Sequence, residues 1–167
     1  VLRSIDRIEV RGRDSAGISV ALSAIEVDEV TKKQVAKRNN LNFTNESVRY
    51  VKNENGEEQI FFVYKRSAEI GELGDNIKYI RSSIKKDDLL FDVISANAKC
   101  IEIVLAHTRW ASMGVISEEN AHPLDSKELN VDENQFAIGV LNGDIDNHVQ
   151  LRSGTDINKA ITTDAKL

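Results

Sequence analysis

The sequence predicts a single α+β domain in which layers of β-sheet pack against layers of α-helix. Its 167 residues are 41% hydrophobic, which is enough to bury one ordinary core. Apolar residues recur at helical spacing in some segments and at strand spacing in others, and the two kinds of segment are mixed along the chain. Such mixing indicates packed layers of sheet and helix, and leaves the order of the layers open.

The first part of the chain contains a helix and two strands separated by a polar stretch. Residues 1–11 carry apolar side chains on one helical face, and Gly12 ends the pattern. Residues 18–22 and 60–64 have the alternation and composition of strands. Between them, residues 26–58 are rich in Lys, Asn and Glu, and we expect an elaborated surface excursion there.

Helix and strand signals continue in the second part. Residues 73–84 place apolar side chains on one face of a helix, and residues 89–94 extend the helical structure. A buried strand over residues 101–105 and a further strand over residues 136–141 follow.

Composition excludes several classes of function. The net charge is −5, with acids and bases spread along the chain, so no basic face is available for nucleic acid. No apolar run approaches the roughly 20 residues that span a bilayer, and the first residues are unlike a secretory signal. The single cysteine, Cys100, favours a reducing, cytoplasmic setting, and three scattered histidines give no metal-ligand spacing. We therefore expect a soluble protein without a metal or cofactor.

Polar side chains follow the strand over residues 101–105. Arg109 lies next to Trp110, so its guanidinium could be held rigidly enough to bind a carboxylate through two parallel hydrogen bonds. The alternative is an arginine that pairs with a local acid such as Glu118 or Glu119. His107 is in turn either a core histidine with satisfied hydrogen bonds or a base or ligand.

The dipeptide Asn142-Gly143 stands between an apolar run and a helical pattern. Such a pair usually marks a tight hairpin turn, but Asp146 and the residues after it predict a capped helix over residues 147–152. A strand that ends here would leave an amide side chain and a backbone N–H at the sheet edge. Two such donors can stabilise a developing oxyanion.

Two further segments allow more than one interpretation. Residues 11–17 hold two glycines among small residues, and we favour a close-packed loop over a phosphate cradle because the spacing fits no phosphate motif. Asp164 is either a solvated or capping acid or the partner of a substrate ammonium group.

Five blocks stand in one order along the chain. They are Arg11–Ile18, His107–Gly114, Asn120–Pro123, Asn142–Gly143 with Ile145 and Asn147, and Thr163–Asp164. In this order they resemble the glutaminase domain of class II glutamine amidotransferases, and within that class the glucosamine-6-phosphate synthase (glutamine–fructose-6-phosphate aminotransferase) branch. The resemblance spans nearly the whole chain except the polar stretch, about residues 26–58, which looks like an insertion.

The resemblance implies an N-terminal-nucleophile hydrolase fold, a four-layer αββα sandwich that residues 1–167 cover only in part. It implies that the thiol of an amino-terminal cysteine attacks glutamine, with its own amine as base, and that water hydrolyses the resulting thioester to glutamate. The released ammonia would reach a sugar phosphate bound by a further domain, in a cytoplasmic protein that forms a homo-oligomer.

The resemblance also implies a role for each matched residue. Arg109 would bind the α-carboxylate and Asp164 the α-ammonium, while Asn142 and the N–H of Gly143 would form the oxyanion hole. The pocket lining would come from Trp110 and Ser112, and structural support from His107 and His122.

The chain departs from the family at three positions. Val1 stands first, so we expect the nucleophilic segment to be absent, and Cys100 is interpreted as a buried structural thiol. Met113 stands where a histidine is usual, and Lys166 where a glutamate is usual. The alternatives are an amidophosphoribosyltransferase-type glutaminase domain, a non-catalytic homologue that binds an amino acid or a protein, and an α+β domain whose blocks serve packing alone.

Overall fold

A computed structural model of the chain describes residues 1–39, 45–68, 72–112, 114–126, 136–155, 157 and 159–167. The elements are α1 (Leu2–Ile8), β1 (Ser15–Ile25), α2 (Glu29–Asn39), β2 (Glu46–Lys52), β3 (Glu58–Ser67), α3 (Asp75–Lys85), α4 (Asp88–Ala96), β4 (Ile101–Arg109), β5 (Leu124–Asp125), β6 (Ile138–Gly139) and α5 (His148–Ser153). Two 3₁₀ helices, Glu9–Arg11 and Asp164–Lys166, complete the regular structure described. The predicted α+β class is confirmed.

Four strands form an antiparallel sheet in the order β2-β3-β1-β4. β1 is central and pairs along its length with both β3 and β4. The short strands β5 and β6 form a separate antiparallel pair. Within the described residues, no helix is long and apolar enough to cross a bilayer.

The hydrophobic core lies between one face of the four-stranded sheet and the helices. Side chains of a strand alternate between its two faces, so Ile18 and Leu22 of β1 share the face that packs against the helices. β3 contributes Phe62 in the same way. The helical side of this core includes Ile5, Val35, Ile77, Ile80, Leu90 and Val93.

The opposite face of β1 carries small and polar residues. Ser15 pairs with Arg109 and Gly17 pairs with His107 across the β1–β4 ladder. Paired residues point to the same face, and this face is the one turned away from the helices. The register therefore places the arginine and the histidine next to each other on the side of the sheet that is free of the hydrophobic core.

Most predicted elements are found, with corrections to their limits. The helix predicted over residues 73–94 is two helices, α3 and α4. The strand predicted over residues 136–141 is reduced to the two residues of β6, and the predicted cap Asp146 is wrong because α5 begins after Asn147. Cys100 is only partly buried, so the prediction of a buried thiol is also wrong.

The prediction of a buried strand over residues 101–105 is wrong in two respects. β4 continues to Arg109, so the polar residues lie within the strand rather than after it. β4 is also an edge strand, and its apolar residues Ile101 and Ile103 are 57% and 56% exposed. Their apolar character made the strand look buried, although its burial depends on position in the sheet.

The polar stretch over residues 26–58 contributes to the sheet. It contains α2 and all of β2, which pairs with β3 from Lys52 to Glu46. Val35 of α2 and Val48 of β2 lie in the hydrophobic core. The stretch is therefore more than a surface excursion, because a few buried valines anchor a polar sequence to the domain.

Glu9 is a buried carboxylate outside the cleft described below. It is 1% exposed, and neither carboxylate oxygen has a hydrogen-bond partner within the described residues. Burial raises the pKa of the Glu9 carboxyl above its ordinary value, Asp6 raises it further, and the polar groups of Asn76 partly offset both effects. At neutral pH this charge opposes folding.

We expect Glu9→Gln to raise the free energy of unfolding by roughly 1 kcal/mol at pH 7, because the amide avoids burying a charge. The folded-state pKa lies above the unfolded one, so the cost of the charge disappears as the pH falls below about 4.5. Urea unfolding at pH 7 and pH 4.5 checks this, with Glu54→Gln as the control on an exposed turn. A less stable Glu9→Gln protein at pH 7 would contradict the prediction.

Candidate functional site

A cleft of about 230 Å³ lies beside the end of β4. All eight residues that the sequence predicted for a site contribute to its lining: His107, Arg109, Trp110, Ser112, His122, Asn142, Gly143 and Asp164. They come from four separate segments of the chain, at residues 107–112, 122, 142–143 and 164. The structure thus brings together every predicted residue, and their individual roles stay predictions.

Arg109 forms the cationic part of the cleft. Its side chain is buried, with the residue 6% exposed, and burial lowers the pKa of the guanidinium from its ordinary value. Two carboxylates, Asp14 and Asp164, oppose this shift through their charges. Asp14 is held in place because one of its oxygens accepts a hydrogen bond of 2.7 Å from the N–H of Ala111. The cation therefore lies between two anions from distant parts of the chain.

Of the two acids proposed as alternative partners of Arg109, Glu118 is engaged elsewhere. Glu118 lies 3.6 Å from the guanidinium of Arg66 and accepts a hydrogen bond of 3.3 Å from the N–H of Ser67. This leaves Asp14 and Asp164 as the acids whose charges stabilise the Arg109 cation.

Asp164 forms the anionic part of the cleft and is 5% exposed. Burial alone would raise the pKa of its carboxyl, but hydrogen bonds, chiefly from the N–H of Ile145, outweigh burial and lower it. The Ile145 N–H lies 2.7 Å from Oδ2, and the hydroxyl of Thr163 lies 3.4 Å from Oδ1. Asp164 is thus ionised at neutral pH and is neither solvated nor a simple helix cap.

Asn142 and Gly143 lie at the exposed side of the cleft, where β6 has ended and the chain bends. The next residue, Asp144, accepts a long hydrogen bond of 3.5 Å from the hydroxyl of Ser112. Trp110 is 67% exposed at the cleft rim. An amide side chain and a backbone N–H are therefore accessible to a ligand in the cleft.

His107 and His122 form a pair in the cleft wall, with His122 buried and His107 partly buried. Their rings meet edge to face with centroids 4.6 Å apart. Among the described residues, neither ring nitrogen of His122 has a hydrogen-bond partner. The Nδ1 of His107 has none there either. Burial lowers the pKa of both imidazoles, that of His122 to about 4, and the charge of Arg109 lowers both further. The interpretation of His107 as a satisfied core histidine is therefore wrong for Nδ1.

Two glycines allow this close packing. A Cβ added to Gly17 of β1 would lie 2.0 Å from the carbonyl oxygen of His122, and one added to Gly12 would lie 2.8 Å from the backbone of Thr108. Real Cβ atoms do not approach backbone so closely, so these positions require glycine. The prediction of a close-packed segment over residues 11–17 is confirmed.

The backbone that leads to Asp164 is held by side chains and lies outside any sheet. The Oδ1 of Asn120, a fully buried residue, accepts hydrogen bonds of 2.7 and 3.0 Å from the N–H groups of Thr162 and Thr163. Gly114, with a φ of +82°, lies so close to Thr162 that an added Cβ would be 3.0 Å away. The N–H of Val115 also donates a hydrogen bond of 2.8 Å to the hydroxyl of Thr162.

Sequence reasoning missed the residues that support the site. Asp14, Asn120 and Ile145 stood in the ordered blocks without an assigned role, and Arg152 stood outside these blocks. Their partners are backbone groups or distant charges, which leave no periodic signal in the sequence. The feature that could have indicated a role for Asp14 was its position in the block Arg11–Ile18, on which the resemblance rests.

The two departures near the site differ in position. Met113 lies outside the described residues. Lys166 is buried, with its amine next to the backbone oxygen of Asp125 and 3.7 Å from the Asp125 carboxylate. It lines a neighbouring cavity of about 280 Å³ rather than the cleft. Over the described ranges, no group of three His, Cys, Asp or Glu side chains could hold a metal ion.

Comparison with known proteins gives partial matches to one enzyme. The chain is 40% identical over 78 residues to glutamine–fructose-6-phosphate aminotransferase of Idiomarina loihiensis, which covers 47% of this chain and 12% of that enzyme. For the Chlamydia caviae enzyme the identity is 36% over 75 residues, 45% of this chain and 11% of the relative. For the Cyanidium caldarium enzyme it is 47% over 57 residues, 34% of this chain and 8% of the relative. No family model and no solved structure matches the chain.

The matched part of the chain is homologous to glutamine–fructose-6-phosphate aminotransferases. The resemblance inferred from the ordered blocks is thereby confirmed. The matches cover about a tenth of the length of these curated relatives. What the relatives do as whole enzymes therefore enters below as a proposal.

We expect the pair formed by His107 and the buried His122 to make stability fall in mild acid. The folded-state pKa of His122 is about 4 and the unfolded value is about 6.5, so the folded state favours the neutral ring. The contribution of His122 to the free energy of unfolding has its full value above about pH 6.5. It falls by about 3 kcal/mol as the pH drops to 4. His122→Gln should lose less stability over the same interval in urea unfolding. Equal losses in the two proteins would contradict the prediction.

Proposed function

We propose that this chain is the glutamine-hydrolysing part of a glutamine–fructose-6-phosphate aminotransferase-like enzyme. With the nucleophile supplied from outside this chain, the whole protein converts glutamine to glutamate and supplies ammonia for the synthesis of an amino-sugar phosphate, whereas this chain by itself binds the amino acid without hydrolysing it. The observation that carries the proposal is one small cleft that contains a buried guanidinium, a buried carboxylate and two exposed hydrogen-bond donors. The names of the four matching relatives support the same reaction.

The charges of the cleft suit the two poles of a free amino acid. The planar fork of Arg109 can bind an α-carboxylate through two parallel hydrogen bonds. Asp164, ionised and held by the Ile145 N–H, can accept from the α-ammonium. A volume of about 230 Å³ lies below the usual range for drug-sized ligands, which favours a small amino acid over a larger acceptor.

The remaining donors suit the reacting end of glutamine. In this proposal the amide side chain of Asn142 and the N–H of Gly143 receive the carbonyl oxygen as it becomes an oxyanion. The amine of the amino-terminal cysteine takes the proton of its own thiol as the sulfur attacks the amide carbon. The amine then returns that proton to the departing nitrogen, so the tetrahedral intermediate releases ammonia and leaves a thioester, which water hydrolyses to glutamate. Trp110 and Ser112 line the pocket, and the neutral pair His107 and His122 supports its wall without taking a proton.

The nucleophile is proposed to be an amino-terminal cysteine that this chain does not contain. Cys100, the single cysteine, precedes the nine residues of β4, whereas Arg109 ends that strand. At roughly 3.3 Å per residue, the two positions are about 30 Å apart. Cys100 is therefore too far from the cleft to attack a bound glutamine.

The proposal extends to the fold and to the rest of the protein. We place the chain in the four-layer αββα architecture, with the sheet face that carries Gly17 and Arg109 turned toward the second sheet. The sugar-phosphate acceptor and the surfaces for self-association are assigned to parts of the protein outside this chain.

We expect the chain to bind L-glutamate and Arg109→Ala to weaken binding ten- to a hundredfold, because a charge-assisted hydrogen-bonded contact of about 1.5 to 3 kcal/mol is lost. Arg109→Lys keeps the charge but not the fork, and should lie between the two. Isothermal titration calorimetry measures the affinities. Arg81→Ala on α3 is the matched control, and thermal unfolding verifies that each variant is folded. Unchanged affinity in folded Arg109→Ala would refute the proposed site.

For a longer protein with an amino-terminal cysteine ahead of this chain, we expect one substitution to act on kcat and another to act on KM. Asn142→Ala should lower kcat for glutamine hydrolysis by about 10² to 10³, because the lost donor acts on the transition state. Arg109→Ala should mainly raise KM. Steady-state glutamate release provides both constants, and a purely KM effect of Asn142→Ala would remove that residue from the oxyanion hole.

A further inference from the structure

The segment over residues 161–163 directly precedes Asp164 and belongs to no helix or strand. Buried backbone polar groups outside regular structure need other hydrogen-bond partners. Here the N–H groups of Thr162 and Thr163 donate to Asn120. The carbonyl groups on the other side of the segment have a partner of a different kind.

Arg152, in α5, provides that partner. One nitrogen of its guanidinium donates to the carbonyl of Ile161 at 2.7 Å, and a second donates to the carbonyl of Thr163 at 3.0 Å. A guanidinium presents its donors in a fixed plane, so two simultaneous bonds fix the relative orientation of the two carbonyls. These are the carbonyls on either side of Thr162, immediately before Asp164.

The same helix is connected to Asp164 by a second route. α5 begins three residues after Ile145, whose N–H donates to the Asp164 carboxylate at 2.7 Å. The contacts therefore close a ring that runs from Asp164 through Ile145 and α5 to Arg152, and back along the segment to Asp164. Asn142 and Gly143 directly precede this ring.

α5 has little else to hold it. None of its six residues is buried, so hydrophobic packing contributes little to its position. Its Arg152 bonds to the segment are accordingly a main attachment. Because Asn120 would still hold the segment from the other side, loss of Arg152 should loosen this ring locally and leave the core folded.

We propose that Arg152 is a positioning residue that aims the Asp164 carboxylate at the α-ammonium of the bound amino acid and fixes the neighbouring Asn142–Gly143 turn. This inference rests on the proposed function, because it takes the ligand to be an α-amino acid. Arg152 acts through Asp164 and the backbone and does not itself touch the ligand.

Ligands with and without the ammonium group test this role. L-glutamate and glutarate share both carboxylates, but glutarate lacks the group that Asp164 binds. In titration calorimetry, Arg152→Met should weaken L-glutamate binding about tenfold or more and change glutarate binding by less than about twofold. Arg152→Lys, with one donor group, should show a smaller loss. Arg3→Met, on the exposed side of α1, is the control for removing a positive charge.

Amide hydrogen exchange provides a readout that needs no ligand. The N–H of Ile145 should exchange faster in Arg152→Met, because its acceptor on Asp164 is no longer held, whereas the N–H of Phe62 in β3 should be unchanged. Equal weakening of both ligands, unchanged binding of L-glutamate, or unchanged protection of Ile145 would each overturn the proposal.

Failure of the proposed function looks different. If the unaltered chain binds neither L-glutamate nor glutarate, the amino-acid site is wrong. The exchange of Ile145 then decides alone whether Arg152 holds Asp164: faster exchange supports the anchoring and unchanged exchange refutes it.

Discussion

The buried guanidinium of Arg109 is the constraint on which the cleft depends. A buried cation is unfavourable unless opposite charges accompany it, and Asp14 and Asp164 provide them from the start of β1 and from a distant segment. Burying the Asp164 carboxylate is unfavourable for the same reason, and the hydrogen bond from the N–H of Ile145 stabilises this anion. Each buried charge thus requires the next partner, and together they bring distant parts of the chain to one edge of the sheet.

Because His107 and His122 are neutral, they add no charge to the group formed by Arg109 and its two carboxylates. Protonation of His122 would put another positive charge near Arg109 in a poorly solvated place, which is why its pKa falls to about 4. At neutral pH the buried charges that line the cleft are therefore those of Arg109 and Asp164. Gly17 matters for the same reason, because only a residue without a side chain lets the His122 backbone lie against β1. Packing and electrostatics are coupled at this point.

Local patterns predicted the elements whose burial follows from their own sequence, such as α3 and the central part of β3. They failed where burial depends on distant pairing. β4 extends to Arg109 because Ser15 and Gly17 pair with its end, and its first residues are exposed because they lie at an edge. The charged residues of the cleft were found through ordered blocks shared with a family. Arg152 was missed because it bonds to backbone carbonyls, which every residue has.

The departures from the family can be weighed by position. Lys166 stands two residues after Asp164, where the resemblance predicts a glutamate, and its amine lies next to the backbone oxygen of Asp125 in the wall of the neighbouring cavity. That cavity shares Leu141 and Ala165 with the cleft, so the two are adjacent, but Lys166 itself does not line the cleft. The substitution therefore changes the charge beside the site and leaves in place the arginine and carboxylate that we propose to bind a free amino acid. A change at Asp164 itself would break the ring of contacts, whereas one at residue 166 leaves that ring closed.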